Sequence, residues 1–119
     1  MSQSATQPIA YVEFNVPDIA AAKAFYGRVF GWTFTDYGPN YCEFHDGHLK
    51  GGFFLAGPVV RGGPLVLFQA ATMERLAAMA TEVEAAGGTI VKPTFAYPGG
   101  HRFQFTDPAG HELGVFAAE

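Results

Sequence analysis

A chain of 119 residues is enough for one hydrophobic core and too short for two, so its function belongs to a single domain, 1–119, or to an assembly of such domains. Seven Lys and Arg against 11 Asp and Glu leave a net charge of −4, and the cations are scattered singly, which excludes a nucleic-acid partner because phosphate binding needs clustered positive charge. Hydrophobic residues at 49% exclude disorder, while charged residues at 15%, against roughly 25% in an average domain, leave surface for a second subunit to cover: a homodimer is expected.

From the start of the chain, Met1 to Ala10 carries no positive charge and no apolar h-region. No later apolar run approaches the roughly 18 residues a membrane span requires, so a cytoplasmic protein with no membrane partner is expected. Ile9 to Val16 alternates as a strand, with Val12, Phe14 and Val16 on one face and Tyr11, Glu13 and Asn15 on the other. Asp18 is the N-cap of a helix whose Ile19, Ala22, Tyr26 and Val29 recur at helical spacing until Gly31 stops it. Three strands follow, Trp32 to Asp36, Tyr41 to His45 and Leu49 to Leu55, separated by Gly38-Pro39-Asn40 and by the hairpin signal Asp46-Gly47.

Gly57 to Pro64 is rich in Gly and Pro and reads as a linker. The same grammar then recurs. Leu65 to Ala70 is a strand, Thr72 caps a helix with the stripe Leu76, Met79, Ala80 and Val83, and Gly87-Gly88 ends it. Thr89 to Val91, Arg102 to Thr106 and Glu112 to Phe116 are strands, the last two joined by the turn Asp107-Pro108-Ala109-Gly110. Between them Tyr97-Pro98-Gly99-Gly100-His101 shows no strand or helix period and is expected to be a mobile flap. Asp18 and Thr72, Gly31 and Gly88, Asp46 and Asp107 lie about 54 to 61 residues apart, the mark of an internal duplication. The expected fold is α+β: two tandem strand-helix-three-strand (βαβββ) modules, about 8–57 and 65–117 with a linker at about 58–64, forming a curved mixed sheet around a cavity.

Strand alternation places Val12, Phe14, Phe103, Phe105, Leu113 and Val115 under the helices and leaves a more polar open face, which is the expected ligand site. There Glu13, Arg102 and Glu112 supply polarity, Tyr11, Gln104 and Phe116 supply shape and hydrogen bonds, and Gly114 leaves room for a ligand atom. Glu13 is the candidate catalytic base, or else a carboxylate paired with a neighbouring strand or water. Arg102 and Glu112 form a ligand clamp or a plain ion pair. His45, His48, His101 and His111 fall in or beside turns and give no convergence of three or four donors, although Glu43 and His45 share a strand face and keep an unconventional metal site open. The lone Cys42 faces the helix as an inert thiol, outside any disulfide or structural zinc site. Phe25, Tyr26, Phe30 and Trp32 belong to the core, whereas Phe53, Phe54, Phe95, Tyr97 and Phe116 fit either core or pocket.

VEFNVPDIAAAKAFYGRVFGW (Val12 to Trp32), EAAGGTIVKP (Glu84 to Pro93) and FTDPAGHELGVF (Phe105 to Phe116) together resemble the vicinal oxygen chelate superfamily, which includes glyoxalase, bleomycin-resistance proteins and extradiol dioxygenases. His111 takes the place of Asn in that family's DPxGN hairpin, and the resemblance covers almost the whole chain after about Pro8. It implies two modules per chain and active sites often shared across a dimer. It also implies, in metal-using members, ligands on the first and last strands of each module. Those positions here fall on Tyr11, on about Gly52 or Phe53, between Leu65 and Phe68, and on Gly114, where glycine, leucine and phenylalanine offer no donor. A binder of a small, partly apolar molecule, without metal or other cofactor, is therefore expected. The alternatives are a lyase, isomerase or dioxygenase-type enzyme with a rearranged metal site, and an interaction module with a vestigial pocket.

Overall fold

The structure, a computed structural model, describes residues 6–118. Module one comprises β1 (Tyr11–Val16), α1 (Ile19–Phe30), β2 (Thr33–Asp36), β3 (Tyr41–His45) and β4 (Lys50–Leu55). Module two repeats the order with β5 (Val66–Gln69), α2 (Met73–Ala85), β6 (Thr89–Tyr97), β7 (Gly100–Thr106) and β8 (Glu112–Ala117). Each module is a four-stranded mixed sheet, β1-β4-β3-β2 and β5-β8-β7-β6, in which the first strand runs parallel to the last and the other pairs are antiparallel. The parallel pair is possible because a helix supplies the crossover.

The helices start and stop where the side chains dictate. Asp18 Oδ1 accepts from the Ala21 amide at 3.0 Å, and Thr72 Oγ1 from the Arg75 amide at 3.0 Å, each satisfying a donor that the first turn leaves open. Gly31 ends α1 at φ 72°, a conformation in which a Cβ is strained, and its amide returns to Gly27 O at 3.1 Å.

Aromatic rings weld the two modules into one core. Tyr26 stacks on Trp32 at 4.5 Å, Trp32 on Phe44 at 4.2 Å, and Phe30 of module one on Phe68 of module two at 4.1 Å. Each such pair contributes about 0.5 to 1.5 kcal/mol beyond its buried area. Phe53 is fully buried among these rings, which settles it as core. Cys42 is buried on the helix side of β3, and burial first, then the neighbouring Asp36 carboxylate, push its thiol up to about 11, so it stays protonated and inert.

The expected flap is instead a hairpin. β6 extends to Tyr97, β7 begins at Gly100, and these two residues pair across Pro98 and Gly99. The alternation is hidden because the register shifts between Ile90 and Lys92 and again between Lys92 and Phe95, beside Pro93 on an edge strand, where a proline is tolerated.

Candidate functional site

A cavity of about 510 Å³ lies where β1 meets the linker and the β7-β8 pair. Glu13, Arg102, Gln104 and Glu112 line it; Tyr11, Gly114 and Phe116 do not. The linker, expected only to connect, forms a wall of the cavity from Val60 to Leu65. Asn15 Nδ2 donates to Pro58 O at 3.0 Å and ties that segment to β1. Arg61 ties it to β8, its Nη2 donating to Glu112 Oε1 at 2.9 Å.

On the module-two wall Gln104 Nε2 donates to Glu112 Oε2 at 2.8 Å. The Arg61 bond, and after it the Gln104 bond, hold the Glu112 carboxyl below its usual range, so it is an ionised acceptor. The expected pairing of Arg102 with Glu112 does not form. The β7-β8 register sets Arg102 opposite Phe116 and Glu112 opposite Thr106, roughly 13 Å apart along the strand at ~3.4 Å per residue. Arg102 instead stacks on the rings of Tyr97, 4.7 Å from the centroid, and Phe95, at 5.4 Å.

On the module-one face Glu13, Gly52 and Glu43 occupy one row across β1, β4 and β3. Tyr41 donates its hydroxyl proton to Glu13 Oε2 at 2.8 Å. That proton being committed, Tyr11 is the donor in the 2.7 Å bond between the two tyrosines; its hydroxyl also lies 3.4 Å from Glu43 Oε2. Burial, then the bonds to Tyr11 and Glu13, raise the Tyr41 phenol far above the ordinary tyrosine value, and it remains a neutral donor. Glycine at 52 makes room for this pair: a Cβ there would displace the Tyr41 hydroxyl and sit 3.0 Å from that of Tyr11. Tyr11 thus orders Tyr41 rather than lining the cavity. The part played by Tyr41 depends on which strands pair, so no local signal in its own segment reveals it.

The Asp107-to-His111 turn closes a third side. Asp107 is 5% exposed, and its Oδ1 accepts from the amides of Ala109 at 3.1 Å, Gly110 at 2.9 Å and His111 at 2.9 Å. Its Oδ2 accepts from Tyr26 Oη at 2.7 Å and meets His111 Nδ1 at 2.9 Å. Burial pushes this carboxyl up, but the bonds and charge of His111, with Tyr26, outweigh it and hold it below the usual value. Burial, then the Asp107 charge, raise the Tyr26 phenol. An ionised Asp107 makes Nδ1 the protonated nitrogen of the ring, which stacks on Phe14 at 5.1 Å and borders the cavity. His111, expected as a turn residue, is thus also a wall residue.

The site does not fit a divalent metal in the positions the resemblance implies. Tyr41 fills the space beside Gly52. Leu67 fills the space beside Gly114, where a Cβ would lie 2.6 Å from Leu67 Cδ2 and 3.1 Å from Phe103 O, so the room expected there for a ligand atom is already taken. Among the described residues no three His, Cys, Asp or Glu are grouped to hold a metal ion. Glu43 Oε1 and His45 Nε2, 3.5 Å apart, engage each other and Thr35 instead.

Among solved structures, a glyoxalase-related enzyme from Fulvimarina pelagi is similar with a TM-score of 0.83 and 23% identity, over 94% of this chain and 88% of that one. A genomically encoded fosfomycin resistance protein from Listeria monocytogenes gives a TM-score of 0.82 and 18% identity over 96% and 95%. Lactoylglutathione lyase from Agrobacterium tumefaciens gives 0.73 and 21% over 96% and 96%. At these identities the likeness is one of fold. No curated protein matches the sequence. The description Glyoxalase/Bleomycin resistance protein/Dioxygenase superfamily matches residues 8–115, nearly the whole chain, and with the paired βαβββ modules it shows that the chain belongs to that superfamily.

Proposed function

We propose that this chain binds a small, partly apolar molecule in the cavity between its modules, without the metal of the metal-using relatives. The observation that carries the proposal is the convergence of Glu13 from β1, Arg102 and Gln104 from β7 and Glu112 from β8, strands of both modules, on one cavity of about 510 Å³, a size suited to a small organic ligand. Apolar groups such as Val12, Leu65 and Leu113 share the wall. Glu13 is oriented by Tyr41 through Oε2, while its Oε1 makes no bond within the chain among the described residues, so it is the group placed to take a proton or a donor from the ligand.

A homodimer completes the proposal. Tyr11 and Leu67 expose 39% and 37% of their surface on β1 and β5, an edge strand of each sheet, and such surface is ordinarily covered. Among the described residues no helix is long and apolar enough to cross a membrane. The lone buried Cys42 needs no oxidising compartment, which supports a cytoplasmic setting.

The test is a small-molecule library followed by amide chemical shifts. Ligands are expected to move the backbone amides of Glu13, Gln104 and Glu112, and Glu13→Gln is expected to weaken those offering a donor by about 1 to 3 kcal/mol. Hits that map only to other surfaces would overturn the proposal.

A further inference from the structure

We infer that the molecule this cavity takes is an organic oxyanion, carboxylate or phosphonate, carrying a hydrogen-bond donor beside its charged group; the inference rests on the cavity being the binding site. In a chain of net charge −4, Lys23 pairs with Asp36, Arg28 with Glu82 and Arg61 with Glu112. Lys92 and Arg102 form no salt bridge among the described residues, although Lys92 acts on Glu112 through space, and both line the cavity. Glu112, on the same wall, is already paired with Arg61, and Glu13 lies on the opposite wall. The module-two wall therefore presents positive charge that the chain does not balance.

Arg102 is held rather than free. Its guanidinium carbon lies over the rings of Tyr97 and Phe95, and its buried Nε has no partner. A planar fork held over aromatic rings matches the two oxygens of a carboxylate or phosphonate better than a loose chain does. Gln104 sets a second requirement on the ligand. It is 4% exposed, its Nε2 is committed to Glu112, and its Oε1 is buried without a partner. The amide cannot turn over, because that would set Oε1 against a carboxylate that only accepts and that Arg61 holds in place. A buried unpaired acceptor is costly, so the ligand that fits best brings a donor to it. Gln104 pairs across the sheet with Lys92 and shares a face of β7 with Arg102 two residues away, so cations and acceptor stand about 5 to 7 Å apart at the backbone. Charge and donor must then be neighbours on the ligand, as in a 2-hydroxy acid.

Four probes separate the parts: mandelate, with oxyanion and donor; its phosphonate counterpart, hydroxy(phenyl)methylphosphonate; phenylacetate, with oxyanion alone; and methyl mandelate, with donor alone. Each is titrated against the whole protein while the amides of Lys92, Gln104 and Glu112 are followed by NMR. Mandelate or its phosphonate counterpart is expected to bind about tenfold or more tighter than methyl mandelate, and several-fold tighter than phenylacetate. Lys92→Met and Arg102→Met, each checked for an otherwise unchanged spectrum, are expected to lower oxyanion affinity about tenfold and leave methyl mandelate unaffected. If methyl mandelate moves these amides as readily as the oxyanions do, the oxyanion inference is overturned and the cavity stands. If no probe moves them at its solubility limit, the inference falls as well. Perturbations confined to residues outside the cavity overturn inference and cavity together.

Discussion

Asp107→Ala should lower the free energy of unfolding by about 3 to 5 kcal/mol, the range for removing one member of a buried, charged hydrogen-bond network. Asp107 is 5% exposed and serves five donors: three backbone amides of its own turn, the Tyr26 hydroxyl and His111 Nδ1. Its removal strands the Tyr26 hydroxyl in the core and frees the ring of His111 from Phe14, so module contact and cavity wall loosen together. Asp107→Asn keeps the acceptor for the amides but loses the charge, and should cost roughly half as much. The sign with pH follows from the lowered carboxyl. Stability from a depressed acid is fully present above the unfolded value, about 3.9, and is lost as pH falls through the still lower folded value. The wild type should therefore lose stability below about pH 4 more steeply than Asp107→Asn. Glu112 shifts in the same direction, but its ion pair is largely exposed and solvent screens its contribution. Urea denaturation of the three proteins at neutral pH and in acid measures both effects. Equal stability of wild type and Asp107→Ala would contradict the account.

Gly114→Glu restores a carboxylate where the metal-using relatives carry one, and it should destabilise the chain by about 2 to 4 kcal/mol without recruiting metal. The new Cβ meets Leu67 Cδ2 at 2.6 Å, which a side chain can relieve, and the Phe103 carbonyl at 3.1 Å, which it cannot without moving backbone. The added Cβ also lies 3.4 Å from Gln104 Cγ, and the new carboxylate comes near the ionised Glu112 that Gln104 already serves. Tyr11, Gly52 and the residues from Leu65 to Phe68 still provide no carboxylate or imidazole. Elemental analysis with a thermal melt checks both halves. A stable variant holding one equivalent of divalent metal would show that Gly114 alone keeps metal out.

The duplication, both helices with their caps and most strand positions were legible because they rest on local chemistry: alternation, Asp18 and Thr72 at helix starts, glycine at helix ends. The β6-β7 hairpin was not, because two register shifts break the period that announces a strand. In the site, Glu13, Arg102, Gln104 and Glu112 follow from alternation alone, since each lies on the face away from the helices. What alternation cannot supply is which strands are neighbours. Tyr41 over Gly52, Lys92 opposite Gln104 and Leu67 against Gly114 are all cross-strand facts. Arg61 escaped for a different reason, lying in a Gly- and Pro-rich segment with no period at all, yet it sets the ionisation of Glu112.

Native mass spectrometry of protein purified without chelator weighs metal, ligand and subunits in one spectrum. The account predicts subunits of 12.8 kDa assembled in pairs, carrying at most an organic adduct and no divalent ion. One tightly held divalent metal per chain, lost when Glu43 or His45 is replaced by Ala, would contradict it and establish a metal centre on the open face of module one.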